Sequence, residues 1–211
     1  MEPPRQAAWM IRKIFHMRKF WPMLASQQQL QDRGKFQIKC AYKILRGAVT
    51  TVPWRGLVCH NVACPKHVFI LWLALLGRMR TKDLPLKWGM GINGTCVLCN
   101  NQPETIEHLY FECTYSHEIW LRILQWLGWQ RTILDWGREW NWVQQHSKSK
   151  NPRNVLKACF AAVVYEVWCE RNSRVFQSKT VTMDKMIHMI QTNMCIRVRE
   201  NRNLFDTICS L

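Results

Sequence analysis

The sequence predicts a mainly α-helical protein: a helical domain with an embedded Cys-Cys-His-Cys loop, followed by a helical C-terminal segment. Apolar residues recur at helical spacing in several segments, and no segment shows the strong alternation that is typical of a strand. Three cysteines and one histidine are grouped within residues 96–113. With 211 residues, the chain is long enough for one domain with a sizeable core, or for a small domain and an appended helical part.

Composition divides the chain into three parts. Residues 1–34 are basic and interrupted by prolines, and they predict a weakly ordered lead-in with one short helix at most. Residues 35–128 form the predicted central domain. Residues 129–211 are expected to contain a linker followed by C-terminal helices.

The first predicted helix lies within 36–45, where apolar residues recur three or four positions apart. These residues are Ile38, Ala41, Tyr42 and Leu45. Pro65 is expected at the first position of the next helix, where its missing N–H costs no hydrogen bond. That helix, about 66–76, is apolar on nearly every side and is expected to be the central core helix, with Gly77 as its stop.

A short helical turn and a loop precede the grouped cysteines. Thr81 and Asp83 predict the start of the turn, and Pro85 limits its length. Residues 89–94 have the sequence GMGING, which predicts a glycine-rich turn that leads directly into the cysteines.

Three further helices are predicted after the cysteine and histidine group. They are expected over 116–127 with Ser116 as the cap, from Pro152 to about Phe176 with Asn151 as the cap, and over 182–199. Residues 129–151 are rich in Trp, Gln, Lys and Ser and are interpreted as a connection. Methionine and isoleucine recur along the last helix, which indicates a packing face.

Cys96, Cys99, His108 and Cys113 form the pattern Cys-x2-Cys-x8-His-x4-Cys. Two cysteines separated by two residues can direct both sulfurs to one point at the tip of a tight loop, and a later histidine and cysteine can complete a tetrahedron. Thiolate and imidazole are the ligands of structural zinc sites, and four protein ligands leave no position for a catalytic water. The pattern therefore predicts one structural Zn²⁺ ion.

Other cysteines and histidines lie near this group in the sequence. Cys59, His60 and Cys64 lack the paired Cys-x2-Cys tip, so core or surface roles are expected for them. His117 would replace His108 as a ligand only by lengthening the loop beyond the usual range.

The formal net charge of +16 predicts attraction to a polyanion, and RNA or DNA fits best. Basic residues just before the metal-binding pattern are the candidates for phosphate contacts. They are Arg78, Arg80, Lys82 and Lys87. Each of them has two other interpretations: a solvated positive face, or balance for the negative charge of a site with three thiolates.

Twelve tryptophans are present, and most are expected to pack in the core, because aromatic side chains bury large areas. The alternative is that a few exposed rings stack on nucleic-acid bases. The sequence does not identify those rings.

An intracellular location, nuclear or cytoplasmic, is expected. The N-terminus lacks the apolar run and cleavage site of a signal peptide, and the scattered cysteines lie in apolar surroundings that are typical of buried free thiols. The apolar run 68–76 is far too short to span a bilayer, so no membrane association is expected.

No active site is found in the sequence, and an enzyme is not expected. Two-metal nucleotidyl transfer needs carboxylates held close together, yet the chain has only five aspartates and no two adjacent acidic residues. There is no Gly-rich phosphate loop and no Gly-x-Ser-x-Gly elbow. A small-molecule substrate is therefore not expected either.

Three segments carry a resemblance to a known family. They are FQIKCAYKIL, CPKHVFILWLALLGRMRTKDLPLKWGM and CVLCNNQPETIEHLYFECTYSHEIW. Together they resemble the reverse transcriptase zinc-binding domain, which lies near the end of the polyproteins of plant non-LTR (LINE-type) retrotransposons. Further along, VWCERNSRVF at 167–176 is similar to the segment that joins this domain to a ribonuclease H domain in longer relatives.

The resemblance implies that Cys96, Cys99, His108 and Cys113 are zinc ligands. It also implies a module that helps to bind template RNA or target DNA. A second tryptophan expected between Trp54 and Cys64 is absent, and so are the polymerase and ribonuclease H parts, which favours a stand-alone or domesticated piece of a retroelement. The alternatives are a structural or protein-interaction domain with unknown partners, and a remnant without function.

Overall fold

In a computed structural model of the chain, the described residues are 16, 20, 22, 31–32, 35–36, 38–47, 50–147 and 152–200. The chain divides into two compact units, Met1–Thr51 and Val52–Leu211. The described part is mainly helical, which confirms the predicted fold class. The predicted lead-in over 1–34 lies mostly outside the described residues.

Among its described residues, the first unit has two very short strands and one longer helix. Strand β1 (Gln31–Asp32) pairs antiparallel with β2 (Lys35–Phe36). Helix α1 (Ile38–Arg46) confirms the helix predicted within 36–45. Of the four residues at helical spacing, Ala41 is buried and Leu45 is half-buried, whereas Ile38 is 76% and Tyr42 60% exposed.

The second unit contains seven helices and one irregular turn among its described residues. They are α2 (Arg55–Val58), α3 (Pro65–Leu75), α4 (Asp83–Lys87), the π-helical turn His108–Glu112, α5 (Thr114–Trp126), α6 (Trp136–His146), α7 (Pro152–Gln177) and α8 (Met183–Glu200). Helices α7 and α8 confirm the two long C-terminal helices. Asn151, the expected cap of α7, lies outside the described residues.

Helix α7 is the centre of the second unit. It packs against α3, α5, α6, α8 and the π-helical turn, and every residue from 155 to 164 is buried. This stretch consists largely of Ala and Val, whose small side chains allow helices to approach from several sides. The expectation that the helix near 66–76 is the central one was wrong, because α3 lies on one side of α7 and exposes 54% of Phe69.

Helix α3 begins and ends as the sequence predicts. Pro65 is its first residue, and Gly77 follows its end with a φ of 67°. The backbone N–H of Arg78 donates to the carbonyl of Leu73 at 2.9 Å, which closes the glycine-terminated turn that stops the helix.

Helix α6 corrects the interpretation of residues 129–151 as a connection. The Asp135 side chain accepts a hydrogen bond from the backbone N–H of Arg138, and this cap starts the helix. The carboxylate of Glu139 is fully buried and accepts from Trp120 Nε1 at 2.7 Å and from Arg131 Nη1 at 2.5 Å. The hydrogen bond between Glu139 of α6 and Trp120 of α5 holds the two helices together, so this segment is a packed helix and not a linker.

Replacing Asp135 with alanine should lower the unfolding free energy by about 1 kcal/mol, because a capped N–H at the start of α6 loses its acceptor. Asp135→Ser keeps an acceptor and is expected to retain most of the stability. Urea denaturation of the two variants side by side measures the difference. Equal midpoints for Asp135→Ala and the wild type would contradict a stabilising cap.

Ser116 is not a helix cap, contrary to expectation. Helix α5 begins two residues earlier, at Thr114, with Cys113 as its N-cap. The Ser116 hydroxyl is fully buried, accepts from the backbone N–H of Phe111 at 3.1 Å and donates to the carbonyl of Cys113 at 3.2 Å. The residue thus fixes the turn before α5 and does not start the helix.

Helix α8 buries the apolar side chains Met186, Ile187, Ile190 and Met194, which confirms the predicted packing face. Met189 lies outside that face and is 37% exposed. Within the part of the chain that the structure describes, no helix is both long and apolar enough to cross a membrane.

Candidate metal centre

A tight loop brings Cys96 and Cys99 together. The backbone N–H of Cys96 donates to the carbonyl of Gln102 at 2.8 Å, and the N–H of Asn100 donates back to the carbonyl of Cys96 at 2.8 Å. Asn100 has a φ of 55°, in the left-handed region that asparagine tolerates better than most residues. The chain therefore reverses directly after the second cysteine, as the Cys-x2-Cys spacing predicts.

The second pair of ligands lies on an irregular helical turn. Thr105 Oγ1 accepts from the backbone N–H of His108 at 3.0 Å, so Thr105 caps the start of the turn. Phe111 then adopts a φ of 82°, and the N–H of Cys113 donates to the carbonyl of His108 at 2.7 Å. A left-handed conformation costs a residue with a bulky side chain about 1–3 kcal/mol. Here it reverses the chain direction, so that Cys113 faces His108.

The four predicted ligands converge on one point. Their donor atoms all lie within 4.8 Å of one another. The sulfurs of Cys96 and Cys113 are 4.0 Å apart, and Cys99 Sγ lies 3.3 Å from His108 Nε2. A tetrahedron with zinc bond lengths has sulfur–sulfur edges of about 3.8 Å and sulfur–nitrogen edges of about 3.6 Å. The cluster fits a single metal ion of this size and can bind one.

The electrostatics of the cluster favour a cation. A hydrogen bond with Cys113, backed by backbone N–H groups of Leu98 and Cys99, lowers the pKa of Cys96 to about 4. The same contact and burial raise the pKa of Cys113, although the N–H groups of Tyr115 and Ser116 at the start of α5 oppose this rise. Ionisation of Cys96 is favoured and ionisation of Cys113 is opposed, because two buried thiolates repel each other unless a cation lies between them.

The alternative ligands are not part of the cluster. Among the described residues, the four predicted ligands are the only group of three or more Cys, His, Asp or Glu side chains placed to hold a metal ion. His117 directs Nδ1 to the carbonyl of Phe111 at 3.0 Å. Cys59 is exposed, and neither it nor His60 and Cys64 forms a second group within the described ranges.

A family model described as zinc-binding in reverse transcriptase matches residues 36–120, a range that includes all four converging side chains. Over residues 36–120, the chain is therefore similar to the reverse transcriptase zinc-binding domain. This confirms the resemblance seen in the sequence, while its origin in plant non-LTR elements stays a prediction. Comparisons with curated proteins and with solved structures found no match.

Glu104 and Arg171 connect the zinc-binding domain to helix α7. The Arg171 guanidinium donates to Glu104 through Nη2 at 2.6 Å and through Nε at 3.1 Å. Both side chains are buried, and Glu104 also accepts from the backbone N–H of Lys82 at 2.9 Å. This ion pair holds the end of the cysteine loop against a helix that lies outside the matched residues.

Arg174 makes a second connection from α7 to the cysteine loop. Its Nη1 donates to the carbonyls of Val97 and Leu98 at 3.1 and 3.2 Å, the two residues between Cys96 and Cys99. Glu170 accepts from Arg174 Nε at 2.8 Å and holds the guanidinium in place. Sequence reasoning missed both connections, although the segment VWCERNSRVF, which contains these residues, stood out as similar to relatives.

An aromatic cluster packs around Phe111 of the π-helical turn. Phe111, between the ligands His108 and Cys113, packs against Trp120 of α5, Trp136 of α6 and Phe160 of α7, with ring centroids 5.6–6.0 Å apart. Rings at this spacing stabilise each other beyond the area they bury. The part of the matched range that lies in the second unit, residues 52–120, therefore shares one core with the helices that follow it.

The four basic residues predicted to contact phosphates differ in their surroundings. Lys82 Nζ donates to the carbonyl of Thr95 at 2.7 Å, so this ammonium supports the loop before Cys96. Lys87 forms an exposed ion pair with Asp83 at 2.7 Å. Arg78 and Arg80 are exposed and have no ion pair within the described residues. Of the four candidates, only Arg78 and Arg80 are exposed without an ion pair to a described residue.

Proposed function

We propose that the chain is a zinc-stabilised nucleic-acid-binding module without a catalytic site of its own, derived from the polyprotein of a non-LTR retrotransposon. One structural Zn²⁺ ion would be held by Cys96, Cys99, His108 and Cys113. Three sulfurs and one imidazole are a donor set that selects zinc over harder ions, and four protein ligands leave no open position for a reacting water. We further propose an intracellular location.

The observation that carries nucleic-acid binding is an exposed tryptophan within a basic segment. Trp88 is 71% exposed, and it is the only exposed tryptophan among the described residues, since the others are half-buried or buried. It follows directly after α4, which is five residues and thus about 8 Å long. Arg78 and Arg80 precede the same helix, so positive charge and a stacking surface flank it on both sides.

This combination is typical of single-strand binding. Aromatic rings stack on bases of any sequence, while arginines and lysines follow the phosphates. The net charge of +16 adds long-range attraction. Binding should therefore be sequence-tolerant, with a log–log salt slope of about −0.7 per neutralised phosphate on single strands. Fluorescence polarisation with labelled single- and double-stranded probes across a salt series tests the proposal, and a salt-independent affinity would contradict it.

Replacing Trp88 with alanine should weaken binding to a labelled single-stranded oligonucleotide by about 1–3 kcal/mol, since one base loses its stacking partner. Trp88 is exposed, so the variant should unfold at the same temperature as the wild type. Trp88→Tyr keeps a stacking ring and is expected to retain most of the affinity. Polarisation titrations of the three proteins at one salt concentration give the comparison.

Phe69→Ala provides the matched control, because Phe69 is also an exposed aromatic residue, 54% accessible, but lies on α3 away from α4 in the sequence. Its loss should leave oligonucleotide affinity unchanged. If Trp88→Ala and Phe69→Ala weaken binding equally, or if neither does, Trp88 is not a stacking residue.

A groove on α3 favours the alternative of a protein-interaction domain. It has a volume of about 430 Å³ and is lined mainly by apolar residues that include Val58, Val68, Phe69 and Trp72. If zinc only holds the helices together, the protein should not bind RNA or DNA at physiological salt. In that case, the Phe69→Ala variant should lose a polypeptide partner that Trp88→Ala keeps.

A further inference from the structure

A pocket lined mainly by polar residues lies between the first turn of α3 and the last described turns of α8. Its volume is about 250 Å³. The lining consists of Cys64, Lys66, His67, Asn193, Ile196 and Arg197. Neither the metal cluster nor the segment around Trp88 contributes to it.

Two cations flank the pocket, Lys66 from α3 and Arg197 from α8. Neither forms an ion pair within the described residues. The Lys66 ammonium lies 4.8 Å from the centroid of the Tyr165 ring, and Glu166 of α7 is the carboxylate that acts on it. Counting only side chains that the structure describes, one carboxylate lies near two cations, which gives the pocket a net positive charge.

The buried ring of His67 has an unsatisfied nitrogen. His67 is 4% exposed, its ring centroid lies 4.6 Å from that of Tyr165, and Nδ1 has no hydrogen-bond partner in the described part of the chain. Burial, with the charges of Lys66 and Arg197, lowers the pKa of His67 to about 4, so the ring is neutral at physiological pH. Buried polar atoms are normally hydrogen-bonded. His67 is one of the residues that line the pocket, so a ligand bound there could supply the missing partner.

We propose that this pocket binds a phosphate group. Lys66 and Arg197 supply the charge, Asn193 supplies an amide donor, and the buried His67 ring supplies a donor from the wall. The pocket also lies at the N-terminal end of α3, an 11-residue helix, where the helix dipole and the backbone N–H of Lys66 favour an anion. The phosphate belongs either to a nucleic-acid backbone or to a free phosphate compound. Phosphate binding at this pocket does not depend on the proposed function.

The test uses the zinc-loaded full chain and inorganic phosphate as the probe. Calorimetric titration measures phosphate binding, and imidazole nitrogen NMR follows His67, with sodium chloride at matched ionic strength as the reference. The variant Lys66→Gln/Arg197→Gln removes both cations. Lys179→Gln/Lys185→Gln, two exposed lysines elsewhere, makes the same change in net charge. Near-ultraviolet circular dichroism of each variant checks that its fold is intact, and Asn193→Ala provides an independent single change.

Three results together would support the pocket. Phosphate should bind saturably and shift the imidazole nitrogen signals of His67, and its affinity should fall about tenfold or more in Lys66→Gln/Arg197→Gln. The affinity should persist in the lysine control. Weaker binding in Asn193→Ala would support it as well. No saturable binding, or equal binding by both double variants, would overturn it.

A labelled single-stranded oligonucleotide distinguishes the two sources of phosphate. If its affinity falls with that of inorganic phosphate, the pocket binds the nucleic-acid backbone. If its affinity is unchanged while phosphate binding is lost, the pocket serves a free phosphate compound, and the inference stands even if nucleic-acid binding fails.

Discussion

Replacing Cys113 with serine should abolish metal binding and unfold the region around the cysteine loop, the largest effect expected of any single substitution. Zinc stabilises small zinc-binding peptides by an apparent ~10–16 kcal/mol, which is comparable to or greater than the ~5–15 kcal/mol stability of most domains. Cys113 is fully buried, lies 4.0 Å from the sulfur of Cys96 and is the N-cap residue of α5. Circular dichroism melts with and without chelator, and metal analysis of the purified protein, measure the result.

Cys59→Ser is the matched control, because Cys59 is an exposed free thiol outside the cluster. It should bind one equivalent of zinc and melt like the wild type. Chelator should bring the wild type to the behaviour of Cys113→Ser and should change that variant little. A Cys113→Ser protein that still bound one ion tightly and unfolded at the wild-type temperature would show that Cys113 is not a ligand.

The metal centre was predictable because its ligands are close in the sequence. Cys96 and Cys99 are brought together by one tight loop, and His108 and Cys113 by one helical turn, so short-range spacing determines most of the geometry. The left-handed conformation of Phe111 was not predictable, since an aromatic residue gives no signal for a positive φ.

Helices α3 and α7 were predicted well because in both an apolar segment follows a proline at the helix start. Helix α6 was missed because its polar composition conceals the buried residues Trp136 and Val143, and because Glu139 resembles a surface residue until Trp120 and Arg131 are placed beside it. Which helix is central was also misjudged, since overall hydrophobicity does not reveal how many neighbours a helix has.

The contacts that hold the metal loop against α7 had no signal in the sequence of this chain alone. Glu104 and Arg171 are 67 positions apart, and no local period relates them. The family match ends at residue 120, whereas Arg171 and Arg174 lie on α7 and contact the loop directly. The folded unit around the metal is therefore larger than the matched domain, and substitutions on both sides of this contact should affect its stability.

Replacing Glu104 with glutamine should lower the unfolding free energy by about 3–5 kcal/mol, because it leaves the Arg171 guanidinium buried without a counter-charge. The side chains of this pair are 0% and 6% exposed, so water cannot replace the lost carboxylate. Urea denaturation of the zinc-loaded protein measures the change. Zinc affinity should also fall, because Glu104 follows the loop that carries Cys96 and Cys99.

Two further variants distinguish the effect of leaving Arg171 buried without a counter-charge from a general effect of replacing glutamate with glutamine. Glu118→Gln removes an exposed partner of Arg122 and should cost no more than about 1 kcal/mol. The double variant Glu104→Gln/Arg171→Met removes the stranded cation together with its partner and should recover much of the stability lost in Glu104→Gln, since apolar replacements of buried ion pairs are often tolerated. If Glu104→Gln proved no more destabilising than Glu118→Gln, the ion pair would not be what holds the metal loop against α7.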